Sequence, residues 1–373
     1  MKPEVALFPC YSYENRAIDA ALDGIEEALG LWNGVLPQTG KVLIKPNLIA
    51  AKRPEKAVTT HPALLLNVAR RLKERGYEVF VGDSPGGAIK GLGRYWQKTG
   101  IQEAAEAAGA RLVNFESSGS QSVEHRGRRY SIADPIMEFS FILNMPKLKT
   151  HSFTGLTGAV KNMFGSVPGL TKAGMHQESP RPHEFGERLL DIYEIAAPSF
   201  HIADAVMALD TKGPTSGRAR PMNCIMASAD GVALDTLFAH LARCPNKGYL
   251  TGAEAQRRGY PGVEMEAIEV VGHDPEKLMP EDFKVPNIAI YRFIPGFFGK
   301  LSKALIQAWP VSLDHCTGCG FCAESCPVHC IEIKSKRAIM DRRKCILCLC
   351  CHELCPEEAV DLKQSFLARR IFR

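Results

Sequence analysis

The sequence predicts a mostly parallel, doubly wound α/β body over residues 1–290 and a small, cysteine-rich α+β domain over 312–363. Three observations carry this. Short apolar runs alternate with amphipathic segments through the first stretch, the pattern of strands joined by crossover helices. Ten of the 13 cysteines lie between Cys316 and Cys355. Shifting Cys316, Cys319, Cys322 and Cys326 by 29 positions lands on Cys345, Cys348, Cys351 and Cys355, and Pro327 lands on Pro356, so the tail has two pseudo-symmetric halves.

In the body, Val42-Leu43-Ile44 reads as a buried strand. Thr60 is expected to cap a helix that starts near Pro62, carries Leu64, Leu65, Val68 and Leu72 on one face and stops at Gly76. Tyr77 to Val81 is the next strand, which completes one βαβ unit. Runs at Arg111 to Phe115, Phe139 to Leu143, Phe200 to Ala203, Cys224 to Ala227 and Ile268 to Val271 extend the sheet. Helices are expected near Gln102 to Ala108, Glu184 to Ala196 and Gly231 to Leu241, the last capped by Asp230. Residues 291–311, with Phe293, Phe297, Phe298, Leu301 and Trp309, read as an apolar connector, since a loose linker would be polar. Residues 364–373 form a short tail.

Composition narrows the function. The chain is 45% apolar and 23% charged, with a net charge of +5 spread along its length. That argues against disorder and against nucleic-acid binding. No stretch reaches the ~18 to 20 apolar residues of a membrane span, and Met1-Lys2-Pro3-Glu4 does not begin an export signal. A cytoplasmic protein is expected. Crowded cysteines in that compartment point to metal or cluster ligation rather than disulfides.

C-x2-C-x2-C-x3-C-P occurs twice in full. Three closely spaced thiolates wrap one iron cubane, and the fourth cysteine reaches the cluster of the other half. Two [4Fe-4S] clusters are therefore assigned: one to Cys316, Cys319, Cys322 and Cys355, the other to Cys345, Cys348, Cys351 and Cys326. Zinc would also take four sulfurs, but in paired C-x2-C knuckles. Cys330, Cys350, Cys10, Cys224 and Cys244 read as packing residues. The tail closely resembles bacterial two-cluster ferredoxins over about residues 312–363.

The densest chemistry of the body is Asn144-Met145-Pro146-Lys147-Leu148-Lys149-Thr150-His151, followed by Gly155-Leu156-Thr157-Gly158 and Lys161-Asn162. It leaves the carboxyl end of a strand, where open α/β sheets bind ligands. Glycine amides and lysine charge suit a carboxylate or phosphate, and His151 suits proton transfer near neutral pH. Lys149, His151 and Lys161 are the candidate catalytic residues; Lys45, Asn47, Asp83 and Lys147 are candidate binding residues at neighbouring strand ends. Gly82-Asp83-Ser84-Pro85-Gly86-Gly87 is no dinucleotide fingerprint.

Together, Lys45-Pro46-Asn47, Gly82-Asp83-Ser84, Pro146 to His151, Thr154-Gly155 with Lys161-Asn162, Asp204 with Gly213-Pro214, and Asp230 with Asp235 resemble the domain-of-unknown-function 362 family over about residues 1–290. Members of that family often carry a ferredoxin tail. The run from His151 to Lys161 with Pro168-Gly169 also looks like a segment of nickel-pincer lactate racemases. That likeness implies a nickel-ligand role for His151 and a cofactor anchor in Lys161.

The expected function is an iron–sulfur oxidoreductase that takes electrons from a redox partner protein and passes them to an anionic small molecule or cofactor in the body. The alternative is an electron carrier or docking protein whose body binds without converting. A third reading is a racemase or lyase with structural clusters.

Overall fold

The computed structural model describes residues 1–37, 40–87, 91–169, 171–179, 181–288 and 308–365. The strands of the body are β1 (Glu4–Pro9), β2 (Lys41–Pro46), β3 (Glu78–Asp83), β4 (Arg111–Asn114), β5 (Ser120–His125), β6 (Arg128–Ala133), β7 (Ile142–Met145), β8 (Lys147–His151), β9 (Gly155–Thr157), β10 (Phe200–Asp210), β11 (Arg218–Ser228) and β12 (Glu269–Gly272). The main sheet runs β12-β1-β11-β10-β7-β2-β3-β4. Neighbours from β10 through β7, β2 and β3 to β4 are parallel. β11 departs from that pattern, lying antiparallel to both β1 and β10. The β10–β11 pair is a long ribbon of two 11-residue strands, whereas only Phe200 to Ala203 and Cys224 to Ala227 were legible as strands.

Helices cover both faces. Val42 and Ile44 of β2 pack with Ile18, Leu22, Leu64 and Leu72 of the helices Asn15–Leu29 and Pro62–Glu74. Leu43 points the other way, onto Phe115, Phe185 and Leu189, because successive strand residues alternate faces. Each such fully buried side chain contributes about 1.5–3 kcal/mol. A strand hidden on both faces reads as an unbroken apolar run, which is why Val42-Leu43-Ile44 was legible.

Two local expectations change. The cap of Pro62–Glu74 is His61, whose Nδ1 accepts from the Ala63 N–H. Thr60 is instead drawn inward: its hydroxyl donates to the Met145 carbonyl at 2.7 Å and accepts from the Asn47 N–H. Lys147–His151, expected as a loop, forms β8, because β10 is long enough to offer a free edge beyond β7. Asp230 caps Gly231–Leu241 as expected, accepting from the Val232 and Ala233 N–H groups.

In the tail, β13 (Ala308–Ser312) pairs with β16 (Val360–Gln364), and β14 (Ile331–Lys334) with β15 (Arg337–Met340). Single-turn helices at Phe321–Glu324 and Cys350–Glu353 carry Cys322 and Cys351. The internal repeat extends to conformation: left-handed residues Gly318, Gly320 and His329 recur as Leu347, Leu349 and Glu358. The expected connector falls outside the described residues except for its last four, which belong to β13, and the segment from 366 onward also lies outside them.

Candidate functional site

β2 continues in sequence to β3 and β4 on one side, while β7 and β10 lie on the other. The carboxyl ends of β2 and β7 thus flank a topological switch point, where open sheets form ligand crevices. Asn162, on the short helix Ala159–Asn162, fills the gap between them: its Nδ2 donates to Asn144 Oδ1 at 2.7 Å, and its Oδ1 accepts from Asn47 Nδ2 at 2.8 Å. That helix is held by Asp235, whose carboxylate accepts from the Ala159 and Val160 N–H groups and is pushed up to about 7 by burial.

Above this crevice lies a cavity at the seam between body and tail. Alternation along β8 turns Lys147, Lys149 and His151 to one face, yet they end in different places. Lys149 reaches the cavity, donating from Nζ to Asn47 Oδ1 and the Val58 carbonyl, both at 2.6 Å. Among the described residues no carboxylate touches it, and burial beside Lys161 and Lys147 draws it well below the usual lysine range. Lys147 lies outside the cavity, paired with Asp204 at 2.9 Å and with the Tyr13 hydroxyl at 2.8 Å. Lys45 is likewise neutralised, by Asp83 at 2.8 Å, while Asp83 itself borders the cavity and accepts from the Leu48 and Ser84 N–H groups.

His151 Nδ1 accepts from the Phe153 and Thr154 N–H groups at 3.2 and 3.3 Å. A ring nitrogen that accepts carries no proton, so in the neutral ring the proton is on Nε2. Burial and the nearby Lys161 and Lys149 hold the ring neutral, well below the usual histidine range. Nε2 faces Glu353 Oε1 of the tail at 3.3 Å. Neither atom completes a hydrogen bond among the described residues, and there Thr157 Oγ1 is also buried and unpartnered at the same cavity. Buried polar atoms are normally satisfied, so three such atoms at one cavity are unusual.

Lys161 lines the cavity, its Nζ over the Phe164 ring. Sequence reasoning missed Lys172, His176, Thr157 as a polar contact, and Glu353. Lys172 is buried, drawn down to about 7, and ties down the loop after β3 through Ser84 O and Oγ at 2.7 and 2.5 Å. Its companions on the cavity come from distant parts of the chain, so no local motif announces it.

The tail closes the cavity. Gly86 and Gly87 of the same loop sit under Leu354, Ser325 and Phe321, where a Cβ on Gly87 would come within 2.9 Å of Ser325 Oγ. Thr215 donates to the Glu353 carbonyl, and Lys52 pairs with Glu358 at 2.7 Å.

The tail's cysteines surround two voids. One is lined by Cys316, Cys319, Cys322 and Cys355; the other by Cys345, Cys348, Cys351 and Cys326, with Cys330 and Cys350 alongside. Each void thus draws three sulfurs from its own run and one from the other. Two donors are matched across the repeat: Cys330 N–H to Cys326 Sγ at 3.4 Å, and Ala359 N–H to Cys355 Sγ at 3.2 Å. Left-handed residues between the cysteines make amide concavities of the kind that hold anionic clusters. The donor set fits two cubanes. Cys350 borders both the second void and the cavity.

Fold and site define an α/β protein with an iron–sulfur tail seated over the crevice at the switch point of its sheet. The chain belongs to the family described as Domain of unknown function (DUF362), whose model matches residues 42–240, and residues 309–332 match the 4Fe-4S binding domain. It is 30% identical to a thylakoid-associated protein of Synechocystis sp. over 77% of this chain and 92% of that one. Among solved structures, the lactate racemase apoprotein from Thermoanaerobacterium thermosaccharolyticum is 14% identical with a TM-score of 0.43, over 66% of this chain and 58% of the racemase. The 4Fe-4S match supports iron–sulfur electron transfer. No helix among the described residues is long and apolar enough to cross a membrane.

Proposed function

We propose that the protein is an iron–sulfur oxidoreductase that delivers electrons to a small anion bound in the seam cavity. The observation that carries this is the position of Cys350. It is flanked by the proposed ligands Cys348 and Cys351, and it walls the second cysteine void on one side and the cavity on the other. Bound there, [4Fe-4S] clusters supply electrons one at a time.

The residues of the chain then have separable roles. Lys149 and Lys161 give the cavity a positive end, and the Lys149 charge, whose hydrogen-bond partners are neutral, is relieved when an anion arrives. Thr157 Oγ1 and His151 Nε2–H donate to the ligand, and burial, which pushes Glu353 up to about 8, leaves its carboxyl a proton to donate as well. Because His151 is held neutral, it serves as a polarising hydrogen-bond donor, as a neutral imidazole N–H does. Lys45 and Lys147, each spent on an aspartate, support the crevice from behind.

The test is anaerobic. Chemically reduced protein is mixed in turn with small carboxylates and phosphates, and the return of the visible cluster absorbance is followed. A matching anion should reoxidise the parent and fail with Lys149→Met at unchanged iron content. Equal reoxidation of parent and variant, or reoxidation only by another protein, would overturn the proposal.

A further inference from the structure

Among the eight proposed ligands, Cys319 is the exposed one; the others are buried or half-buried. It lines the first cysteine void and also a surface groove between body and tail. The arrangement mirrors Cys350, which joins the second void to the seam cavity. An electron donor of protein size cannot enter that cavity, where Lys149 and His151 are 0% and 1% exposed. Cys319 is the face of the tail open to it.

The groove's charge says what approaches. Arg94 and Lys98, on one face of the helix Gly93–Lys98, are exposed and have no acidic partner among the described residues. Lys52 lies between them and the tail, held by Glu358 and the Pro356 carbonyl. Among the described residues of the lining, Glu324 is the one carboxylate. Tyr95 and Phe321 add half-buried rings beside these charges. A cationic rim around an apolar centre is the complement of an acidic protein face, and such charge speeds encounter more than it deepens affinity. A hydride carrier transfers two electrons together and needs a flavin to split them, so the donor matched to iron–sulfur chemistry is a one-electron carrier.

We propose that the groove beside Cys319, rimmed by Arg94 and Lys98, is the docking surface for an acidic one-electron carrier protein. In each encounter the carrier loses one electron and the cluster held by Cys319 gains it, with no proton or bond exchanged. The inference rests on the relay reading above and gives that relay its entrance at Cys319, as Cys350 gives its exit.

The full-length, cluster-loaded protein and the double variant Arg94→Glu, Lys98→Glu are compared anaerobically. The probe is a reduced [2Fe-2S] ferredoxin of acidic surface, with cluster bleaching followed by stopped flow and binding of the oxidised ferredoxin followed by calorimetry. Both substituted side chains are exposed, so folding is preserved. The variant should be reduced roughly tenfold more slowly at low salt, with weaker binding, and the difference should vanish at high salt, where charges are screened. Reduced methyl viologen, a small cation, should reduce the variant no more slowly than the parent. Equal ferredoxin rates and salt slopes in the two proteins would overturn the docking surface and leave the relay standing. A variant with normal ferredoxin reduction but slower reoxidation by the seam-cavity anion would instead make the groove that anion's entrance. Failure of viologen to reduce the parent's clusters would count against the relay itself.

Discussion

His151 Nε2 of the body stands 3.3 Å from Glu353 Oε1 of the tail, and neither atom completes a hydrogen bond among the described residues. Two residues 202 positions apart in sequence thus bring their unsatisfied atoms to one cavity. Neither lobe forms that cavity alone, so the chemistry proposed above depends on how the tail is seated.

Seating is testable at Gly87. Its φ of +98° disfavours any other residue, and an added Cβ would meet Ser325, Leu354 and Phe321 of the tail. Gly87→Val should leave iron content and the cluster spectrum intact while slowing anion-driven reoxidation of the reduced protein. Unchanged reoxidation would show that the loop does not register tail against body.

Lys149 should separate function from stability. Its buried ammonium has only neutral partners, so Lys149→Met removes an unfavourable buried charge while deleting the cavity's cation. The urea midpoint should hold or rise, and anion binding measured by calorimetry should weaken roughly 30-fold or more. A large fall in stability would mean that the lysine is structural.

Asp83 and Lys45 should behave as a buried pair. Asp83→Asn leaves the Lys45 charge uncompensated, at a cost of about 3–5 kcal/mol, whereas Lys45→Met with Asp83→Leu should recover much of that loss. A double-mutant cycle in denaturant measures the coupling.

The pH dependence of stability follows from buried imidazoles. Burial pushes His176 and His201 down to about 3 from an ordinary 6.5. Below pH 6.5 the unfolded chain therefore binds protons that the folded chain refuses. The stability these two imidazoles contribute is complete above that value and declines as pH falls toward 3. The urea midpoint should already be lower at pH 5 than at pH 7.5, before most carboxylates titrate. A flat profile would place imidazolium in the folded state.

Crossed ligation predicts how iron is lost. Parent protein should hold about eight iron atoms, from two four-iron cubanes. Replacing Cys326 or Cys355 should disturb both halves in the electron paramagnetic resonance spectrum, since each side chain lines the void of the opposite run. Damage confined to the variant's own run would contradict the crossing.

The parts that were legible share a local physical cause. The cysteine repeat is visible because cubane ligation demands sulfurs at short fixed spacing, and the parallel strands because burial on both faces requires continuous apolar runs. The ribbon of β10 and β11 was read only in part, since its outer halves bear polar residues such as Arg218 and Arg220, whose partners are Asp210 across the ribbon on β10 and Asp282 beyond it. The segment from Lys147 to His151 announced its chemistry without showing how it divides.

By itself, then, the sequence determined the α/β class, the cysteine-rich tail and the family to which the chain belongs, because periodicity and ligand spacing act over a few residues. Only the tertiary structure decided that Lys147 and Lys45 are neutralised by aspartates while Lys149 and Lys161 face the cavity, and that Cys350 and Glu353 close it. The charge a buried lysine presents depends on which carboxylate the fold brings beside it, and those carboxylates come from strands and helices far away in the chain.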